Sequence, residues 1–252
     1  MDNPVILVVA GSEITNSDVS IYLKATGAYK DAIQELVRRK AVSDYAEKNN
    51  ISVSDDELQN EVNDKRKELK LFATQDVQKY LSGLGLNIDQ WADWLDYSLL
   101  EGKVKDAVIT DDSIEKYFAE NKLQFRKVHL YKISLDNKDK SDEIYMELND
   151  DGKKFFDLAL QYSNDDTTKF GGGYMGEIGR GTLKLVLEQK VFATQPGDLV
   201  GPVEDNGNFS IYMVADFIDA ELTDDFKAKL KDTLFKMWNS GYLQSIKVEL
   251  PK

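Results

Sequence analysis

The sequence predicts an α+β protein in which a helical lobe is joined to a smaller mixed domain. Proline is absent from Val5 to Asp111, and apolar residues recur there at helical spacing, which indicates helix after helix. Strand patterns follow in the second half, with KVHLYKISL at Lys127–Leu135 and FSIYMV at Phe209–Val214. A glycine run, Gly171–Gly173, lies between these two strands and separates two short helical patterns.

The first half is predicted to begin with one strand and then to be helical. Val5–Ala10 is rich in valine and isoleucine, which indicates a buried strand that turns at Gly11, Ser12 and Glu13. Helix starts are predicted from capping patterns at Thr15 with Asp18, at Ser54 with Glu57, and at Asp112 to Glu115. Helical spacing also covers Asp31–Lys48, Gln75–Ser82 and Ile88–Val108. The last of these contains Trp91 and Trp94, for which core packing is predicted and an exposed aromatic surface is the alternative.

The second half alternates short helices and strands before a long final helix. Helices are predicted at Ser141–Asp150, Phe155–Tyr162 and Leu183–Phe192. The final helix begins near Thr223, with Phe226, Leu230, Leu234, Met237 and Trp238 at helical spacing. Ser240-Gly241 breaks or bends it, and Ile246–Leu250 reads as a strand.

Composition and charge exclude several classes of function. The formal net charge of −13 works against sequence-independent binding to nucleic acid, because phosphates require a basic surface. The chain has no cysteine and one histidine, His129, so cysteine or His-rich metal sites and thiol nucleophiles are excluded. Gly171, Gly173 and Gly176 satisfy G-x-G-x-x-G, but no buried strand precedes them directly, as a dinucleotide site requires. We expect no metal and no cofactor.

The N-terminal apolar run does not indicate a membrane segment. Val5–Ala10 is too short to cross a bilayer and lacks a basic leader, so neither an integral membrane segment nor a secretory signal is predicted. The prediction is a cytoplasmic protein. The alternative is an exported or cell-surface protein whose export signal has been removed.

Several features follow one another in a fixed order along the second half: a helix with Phe155, Leu158, Ala159 and Ser163, the acidic Asp166, the segment Gly172–Gly176, a second helix at Leu183–Phe192, and a turn at Pro196–Val203. This order, from about Phe125 to Phe217, resembles the parvulin-type peptidyl-prolyl isomerases. The resemblance implies a four-stranded antiparallel sheet with surrounding helices.

A second resemblance covers about Val5 to Phe125. The phrases GSEIT, AEKNNISVSDDEL and ITDDSIEKYFAENKLQF are similar to the N-terminal part of bacterial foldases that carry a parvulin domain. It implies a helical chaperone-like lobe at 1–124, a parvulin-like domain at 125–219, and a C-terminal helix and strand at 220–252 that return to the first lobe. Ile246–Leu250 is then expected near Val5–Val9.

The parvulin resemblance also implies the site. The slot for the proline ring falls on Met175, Ile178, Leu183 and Leu187. The catalytic polar groups fall on His129, Asp166 and Ser210, with Asp165 as an adjacent candidate, and His129 is expected to open beside the slot. Without the resemblance, His129 would read as a strand histidine, the two aspartates as loop carboxylates that cap a turn, and the leucines as core.

The function implied is cis/trans isomerisation of X-Pro bonds in unfolded protein or precursor peptide clients, together with chaperone activity. The family has a second histidine in its last strand, where this chain has Ser210. A serine hydroxyl donates and accepts hydrogen bonds but does not replace an imidazole in orienting another ring. The alternative is therefore a binding-only chaperone or precursor-escort protein with a catalytically weak domain. A homodimer is compatible with the sequence.

Overall fold

The computed structural model of the chain describes residues 4–150, 154–205 and 207–247. It divides into two compact units, unit 1 at Met1–Ile114 with Lys227–Lys252 and unit 2 at Glu115–Phe226. Helices and an antiparallel sheet together confirm the predicted α+β class. The three domains drawn from the sequence, at 1–124, 125–219 and 220–252, stay a prediction.

The helices and strands have the following bounds. The helices are α1 (Asn16–Thr26), α2 (Ala28–Lys48), α3 (Asp55–Glu68), α4 (Thr74–Leu84), α5 (Ile88–Val108), α6 (Asp111–Asn121), α7 (Lys138–Asp150), α8 (Phe155–Tyr162), α9 (Leu185–Ala193) and α10 (Asp224–Ser245). The strands are β1 (Val5–Val9), β2 (Ser12–Thr15), β3 (Lys127–Leu135), β4 (Tyr174–Gly179), β5 (Leu199–Asp205) and β6 (Asn208–Ile218).

The N-terminal hairpin differs from its prediction in two respects. The segment predicted as a turn continues into a second strand, and β1 pairs with β2 antiparallel. The predicted burial of β1 is also wrong, because all five of its side chains are 46–59% exposed. A sheet of two strands has too few neighbours to cover its own faces. The predicted strand at Ile246–Leu250 falls mostly outside the described residues.

Unit 1 is held together by its helices. Its core contains Leu71, Val77, Leu81, Trp91 and Leu95, contributed mainly by α4 and α5. α10 packs on α2 through an aromatic contact, with the rings of Tyr45 and Trp238 4.9 Å apart and nearly perpendicular. The hydroxyl of Tyr242 donates to Asp44 at 2.6 Å. The final helix therefore belongs to the same unit as the first five helices of the chain.

Unit 2 is built around a four-stranded antiparallel sheet in the order β4-β3-β6-β5. One face, which we call the α9 face, carries Val128, Leu130, Val200, Tyr212 and Val214 and is covered by Leu187 and Val191 of α9. The other, the α8 face, carries Ile133, Leu135 and Ile211 and is covered by α7 and α8. The two faces thus have separate cores.

Candidate functional site

The alternation of β3, a central strand of the sheet, determines which of its side chains point to each face. Its bulges place the extra residue on the partner strands, at Met175 of β4 and Ala215 of β6, so the alternation of β3 itself is unbroken. Successive strand residues point to opposite faces. Because Val128 and Leu130 lie in the core of the α9 face, Lys132 and Ser134 point to that same face.

A group of polar residues lies on the α9 face around Lys132 and Ser134. The ammonium of Lys132 contacts the carboxylate of Asp165 at 2.5 Å. Tyr212 lies opposite Lys132 and Ser210 lies opposite Ser134, in the antiparallel register of β3 with β6. We call Lys132, Ser134, Asp165, Ser210 and Tyr212 the polar cluster.

The loop that carries Asp165 is fixed to β3 by hydrogen bonds. The backbone N–H groups of Ser134 and Asp165 both donate to the hydroxyl oxygen of Ser163, at 3.2 and 3.3 Å. The N–H of Asn164 donates to the carbonyl of Ser134 at 2.7 Å. Asp165 in turn accepts from the N–H of Thr167 at 3.1 Å. These bonds set the carboxylate of Asp165 against Lys132.

The electrostatics of Asp165 reflect this pairing. Burial by itself would raise the pKa of Asp165, but the hydrogen bond and charge of Lys132, with the N–H of Thr167, hold that pKa below its ordinary value. Both side chains of the pair are largely covered, at 21% exposed for Lys132 and 17% for Asp165. The pair is therefore a partly desolvated ion pair rather than a surface contact.

The four residues predicted to form the proline slot lie in one cluster. Ile178 and Leu187 are buried in the core of the α9 face, and Met175 and Leu183 pack against that core while remaining partly exposed. We call these four residues the apolar slot. Leu130, two positions before Lys132 on β3, belongs to the same core. The apolar slot and the polar cluster therefore share one sheet face.

His129 does not lie with this group, which corrects its predicted position. It falls between Val128 and Leu130 on β3, so strand alternation turns it to the α8 face. Its Nδ1 atom is 2.8 Å from the hydroxyl oxygen of Tyr174. In the register of the sheet it is flanked by Glu177 and Asp216. The lone imidazole is thus a strand histidine with a polar partner, and it does not open beside the slot.

The other two predicted polar residues have different surroundings. Asp166 is exposed, while its neighbour Asp165, the adjacent candidate of the sequence analysis, faces the sheet. Ser210 is buried on the α9 face, and its hydroxyl donates to that of Ser134 at 3.3 Å. The structure therefore brings Ser210 and Asp165 together with the slot, and leaves Asp166 at the surface.

Lys132 is the site residue that sequence reasoning missed. The signal was present in the strand pattern, because Val128 and Leu130 identify the buried face of β3 and the same alternation selects residue 132. Burial raises the pKa of Tyr212, its partner across the strands, and a hydrogen bond with Ser210 offsets part of that rise. Within the described ranges, no three His, Asp or Glu residues are grouped to hold a metal ion.

Comparisons with known proteins identify a family model that matches this part of the chain. The model of the PPIC-type PPIASE (Rotamase) family matches residues 132–216, which includes Lys132, Asp165 and the slot but not His129. The foldase protein PrsA of Caldanaerobacter subterraneus subsp. tengcongensis is 28% identical over 182 residues, which are 72% of this chain and 55% of that protein. PrsA of Halalkalibacterium halodurans is 25% identical over 236 residues, or 90% of this chain and 69% of the relative. The first match thus spans little more than half of that relative's length.

A solved structure supports the fold over the whole chain. The crystal structure of the peptidylprolyl isomerase PrsA from Bacillus cereus is similar with a TM-score of 0.56 and 21% identity, covering 100% of this chain and 95% of that one. No helix among the residues that the structure describes is long and apolar enough to cross a membrane. Taken together, the family model and the relatives show that this chain carries a PPIC-type PPIASE (parvulin-type) domain at residues 132–216.

Proposed function

We propose that this protein isomerises X-Pro bonds in extended segments of unfolded protein or precursor peptide clients, and that it does so on the α9 face of unit 2. The observation that carries the proposal is the position of the apolar slot beside the polar cluster on that face. A client proline enters the slot, and the peptide bond before it lies towards the polar cluster.

Catalysis of rotation about the X-Pro bond requires only that the protein hold a few groups in place around that bond. Resonance raises the barrier to rotation about the X-Pro bond to ~18–20 kcal/mol, and rotation removes that resonance. A catalyst must therefore bind the twisted amide more tightly than the planar one, without forming a covalent bond to it. A thousandfold acceleration needs only about 4 kcal/mol of such preference. An apolar slot that fixes the ring and a few placed donors suffice.

The two partly exposed members of the slot are the ones that a client can reach. Met175 occupies the bulge of β4, and Leu183 lies just before α9, so both have side chains at the edge of the core rather than inside it. Leu187 and Ile178 close the slot from below. We propose that Met175 and Leu183 contact the faces of the proline ring.

The proposal is tested by the exchange rate of an Ala-Pro peptide, measured by NMR with wild type and two variants. Leu183→Ala removes a slot wall and is expected to lower kcat/KM by about tenfold. Leu185→Ala changes a side chain of the same segment that is 69% exposed and is expected to leave the rate unchanged. A wild-type rate equal to the uncatalysed rate would contradict the isomerase proposal.

A second function, binding without useful turnover, is favoured by the surroundings of Ser210. Its hydroxyl is buried and donates to Ser134, so it does not supply the client amide with the polar group that the second histidine of the family provides. If peptide binds and Leu183→Ala weakens that binding while exchange stays at the uncatalysed rate, the protein is a binding-only chaperone.

We also propose a client-binding surface in unit 1, for the chaperone part of the function. Large exposed apolar side chains are concentrated near its N-terminus, and a groove of about 700 Å³ lies between α2 and the end of α10. Exposed apolar patches of this kind mark surfaces that bind other proteins. Members of the patch and groove are Val5, Ile6, Leu7, Val8, Val9, Ile21, Tyr22, Ile33, Leu36, Leu243 and Ile246.

The surface is tested by suppression of aggregation of an unfolded apolar polypeptide. Leu36→Ser is expected to weaken suppression, whereas Leu84→Ser, which changes an equally exposed leucine on α4, is expected to leave it intact. Equal behaviour of the two variants would contradict this surface. Sedimentation of the same samples measures homodimer formation, which stays a prediction, as do the cytoplasmic location and its exported alternative.

A further inference from the structure

We propose that Lys132, oriented by Asp165, binds the carbonyl oxygen of the client residue that precedes proline. This inference rests on the proposed function, because it places the client proline in the apolar slot. It assigns the donor role in the site to an ammonium of β3, not to the chain's lone imidazole.

The spacing along β3 supports the assignment. Leu130 lies in the core that forms the floor of the slot, and Lys132 is the next residue of β3 on the same face. Two residues of a strand span about 6.6–6.8 Å. An extended client advances by about 3.3–3.6 Å per residue, so the peptide bond before a proline in the slot lies within reach of a lysine side chain from there.

The ion pair gives Lys132 a defined direction without consuming it. An ammonium has three N–H donors, and the contact with the carboxylate of Asp165 uses one direction. The loop around Asp165 is tied to β3 through the hydroxyl of Ser163, so the carboxylate is held in place independently of the lysine. Asp165 therefore acts as a positioning residue, and Lys132 is the group that contacts the client.

The groups around this pair come from two further strands. Tyr212 of β6 lies opposite Lys132, and its pKa is affected by the charges of Asp165 and of Asp205 on β5. Asp205 is in contact with Lys184 at 2.5 Å. The carboxylate that contacts Lys132 directly is that of Asp165. A client carbonyl that approaches from the slot therefore contacts the ammonium of Lys132 beside the fixed carboxylate of Asp165. That carboxylate keeps the side chain of Lys132 extended.

The contact is suited to binding the client rather than to twisting its amide. When an X-Pro bond twists, the carbonyl loses conjugation and the proline nitrogen regains a lone pair, so the carbonyl oxygen is the stronger acceptor in the planar form. A lysine ammonium supplies a donor with a full charge, and hydrogen bonds to charged groups are among the stronger ones. Lys132 therefore contributes affinity for the client and fixes the peptide bond that precedes the proline in the slot.

The direct test uses an Ala-Ala-Pro-Phe peptide with a ¹³C-labelled carbonyl on the alanine before proline. Binding to wild type is expected to shift this carbonyl resonance, because it accepts a hydrogen bond from Lys132. Lys132→Met keeps the aliphatic stem and is expected to abolish the shift and to weaken peptide binding by about tenfold or more. Lys132→Arg should restore the shift in part. His129→Gln, changed on the opposite face of the same strand, should behave as wild type.

The positioning role of Asp165 has its own readout. Asp165→Asn is expected to reduce the carbonyl shift at saturating peptide, since the lysine is no longer held towards the client, and Asp165→Glu should recover part of it. A purely structural role would change stability without changing the shift of the bound peptide. Thermal unfolding of every variant is measured alongside, and the wild-type carbonyl shift provides a readout that needs no variant.

The outcomes separate this inference from the proposed function. A bound wild-type peptide with an unshifted carbonyl, or an unchanged shift with Lys132→Met, overturns the role of Lys132 even if exchange is catalysed. A shift that depends on Lys132 upholds the role, and if exchange then stays at the uncatalysed rate, it is the isomerase proposal that fails.

Discussion

Ser210 of β6 lies directly opposite Ser134 of β3, and the hydroxyl of Ser210 donates to the hydroxyl oxygen of Ser134 at 3.3 Å. Both side chains are buried. The N–H of Ser134 donates to the hydroxyl oxygen of Ser163, which also holds the loop that carries Asp165. The serine pair therefore connects the last strand to the loop that positions the site's carboxylate.

Ser210→Ala tests whether this serine acts in catalysis or in support. We expect a loss of about 1–2 kcal/mol in the free energy of unfolding of unit 2, because the buried hydrogen bonds of Ser210 with Ser134 and Tyr212 disappear. Exchange of an Ala-Pro peptide is expected to change by no more than about twofold, because a buried hydroxyl bonded to Ser134 has no direct path to the client.

Ser141→Ala is the matched control for that variant. Ser141 is also buried in unit 2, but its hydroxyl has no hydrogen-bond partner among the residues that the structure describes. Replacing it by alanine removes a buried polar atom that makes no hydrogen bond, so the free energy of unfolding should stay equal or rise. Urea unfolding followed by circular dichroism compares the two. An equal loss of unfolding free energy in both variants would contradict the support role of Ser210. A tenfold fall in the exchange rate with Ser210→Ala would instead show that Ser210 acts in catalysis.

Gly173→Ala should be strongly destabilising, because two constraints meet at this residue. Its φ is +89°, a left-handed conformation, and an added Cβ would lie 2.5 Å from the backbone carbonyl oxygen of Lys132. That carbonyl belongs to the strand that carries the site, and the N–H of Lys132 donates to the carbonyl of Gly173 at 2.8 Å. We expect a loss of about 2–4 kcal/mol.

Gly171→Ala provides the comparison within the same glycine run. Its φ is not in the left-handed region, and the nearest atom to an added Cβ is 4.0 Å away, so its free energy of unfolding should change by less than about 1 kcal/mol. Urea unfolding of the two variants distinguishes a requirement at one position from a general need for flexibility. Similar losses in both would favour the latter.

Much of the fold could be predicted from periodicity and caps. The capping boxes at Thr15 with Asp18 and at Ser54 with Glu57 are both present. The cap of α6 is predicted two residues late, at Asp112, since the helix begins at Asp111 and the hydroxyl oxygen of Thr110 accepts from the N–H of Ser113. Local signals therefore identified helices well. They did not indicate that β1 would lack cover, because burial depends on what packs against a strand.

The candidate site was predicted in part, and its errors have physical causes. The apolar slot is implied by the parvulin resemblance, and the structure groups its four residues. The predicted position of His129 is wrong because the resemblance assigns it by residue type, whereas the alternation of β3 turns it to the α8 face. The choice between Asp165 and Asp166 depends on the bonds that Ser163 makes across to β3, a tertiary contact that no local pattern contains.

Glu57 predicts how the stability of unit 1 depends on acid. The ammonium of Lys103, with the N–H and hydroxyl of Ser54, lowers the pKa of Glu57 from 4.5 to about 2. A carboxyl group whose pKa is depressed by folding stabilises the folded state in full above its unfolded pKa. The contribution of Glu57 is therefore complete above about pH 4.5 and is lost as the pH falls through about 2.

The comparison of wild type with Glu57→Gln measures this contribution. The difference in urea midpoint should be constant from pH 5 to 7 and should shrink as the pH is lowered towards 2. Tryptophan fluorescence reports unit 1, because all three tryptophans of the chain lie there. In a Lys103→Met background the difference should be smaller at every pH. A difference that does not change between pH 5 and 2 would contradict the depressed pKa.

Trp91 and Trp94 lie three residues apart on α5 but have opposite surroundings. Trp91 is 4% exposed and belongs to the core of unit 1, whereas Trp94 is 54% exposed and its ring lies 3.7 Å from the guanidinium of Arg39. Trp91→Ala should cost about 3–5 kcal/mol of unfolding free energy, because a large cavity replaces the ring. Trp94→Ala removes an exposed cation–π contact and should cost about 0.5–1 kcal/mol. Urea unfolding followed by circular dichroism measures both, since each substitution alters the fluorescence. Comparable losses would mean that the exposed ring contributes to the core, and would leave core packing as the explanation for both tryptophans.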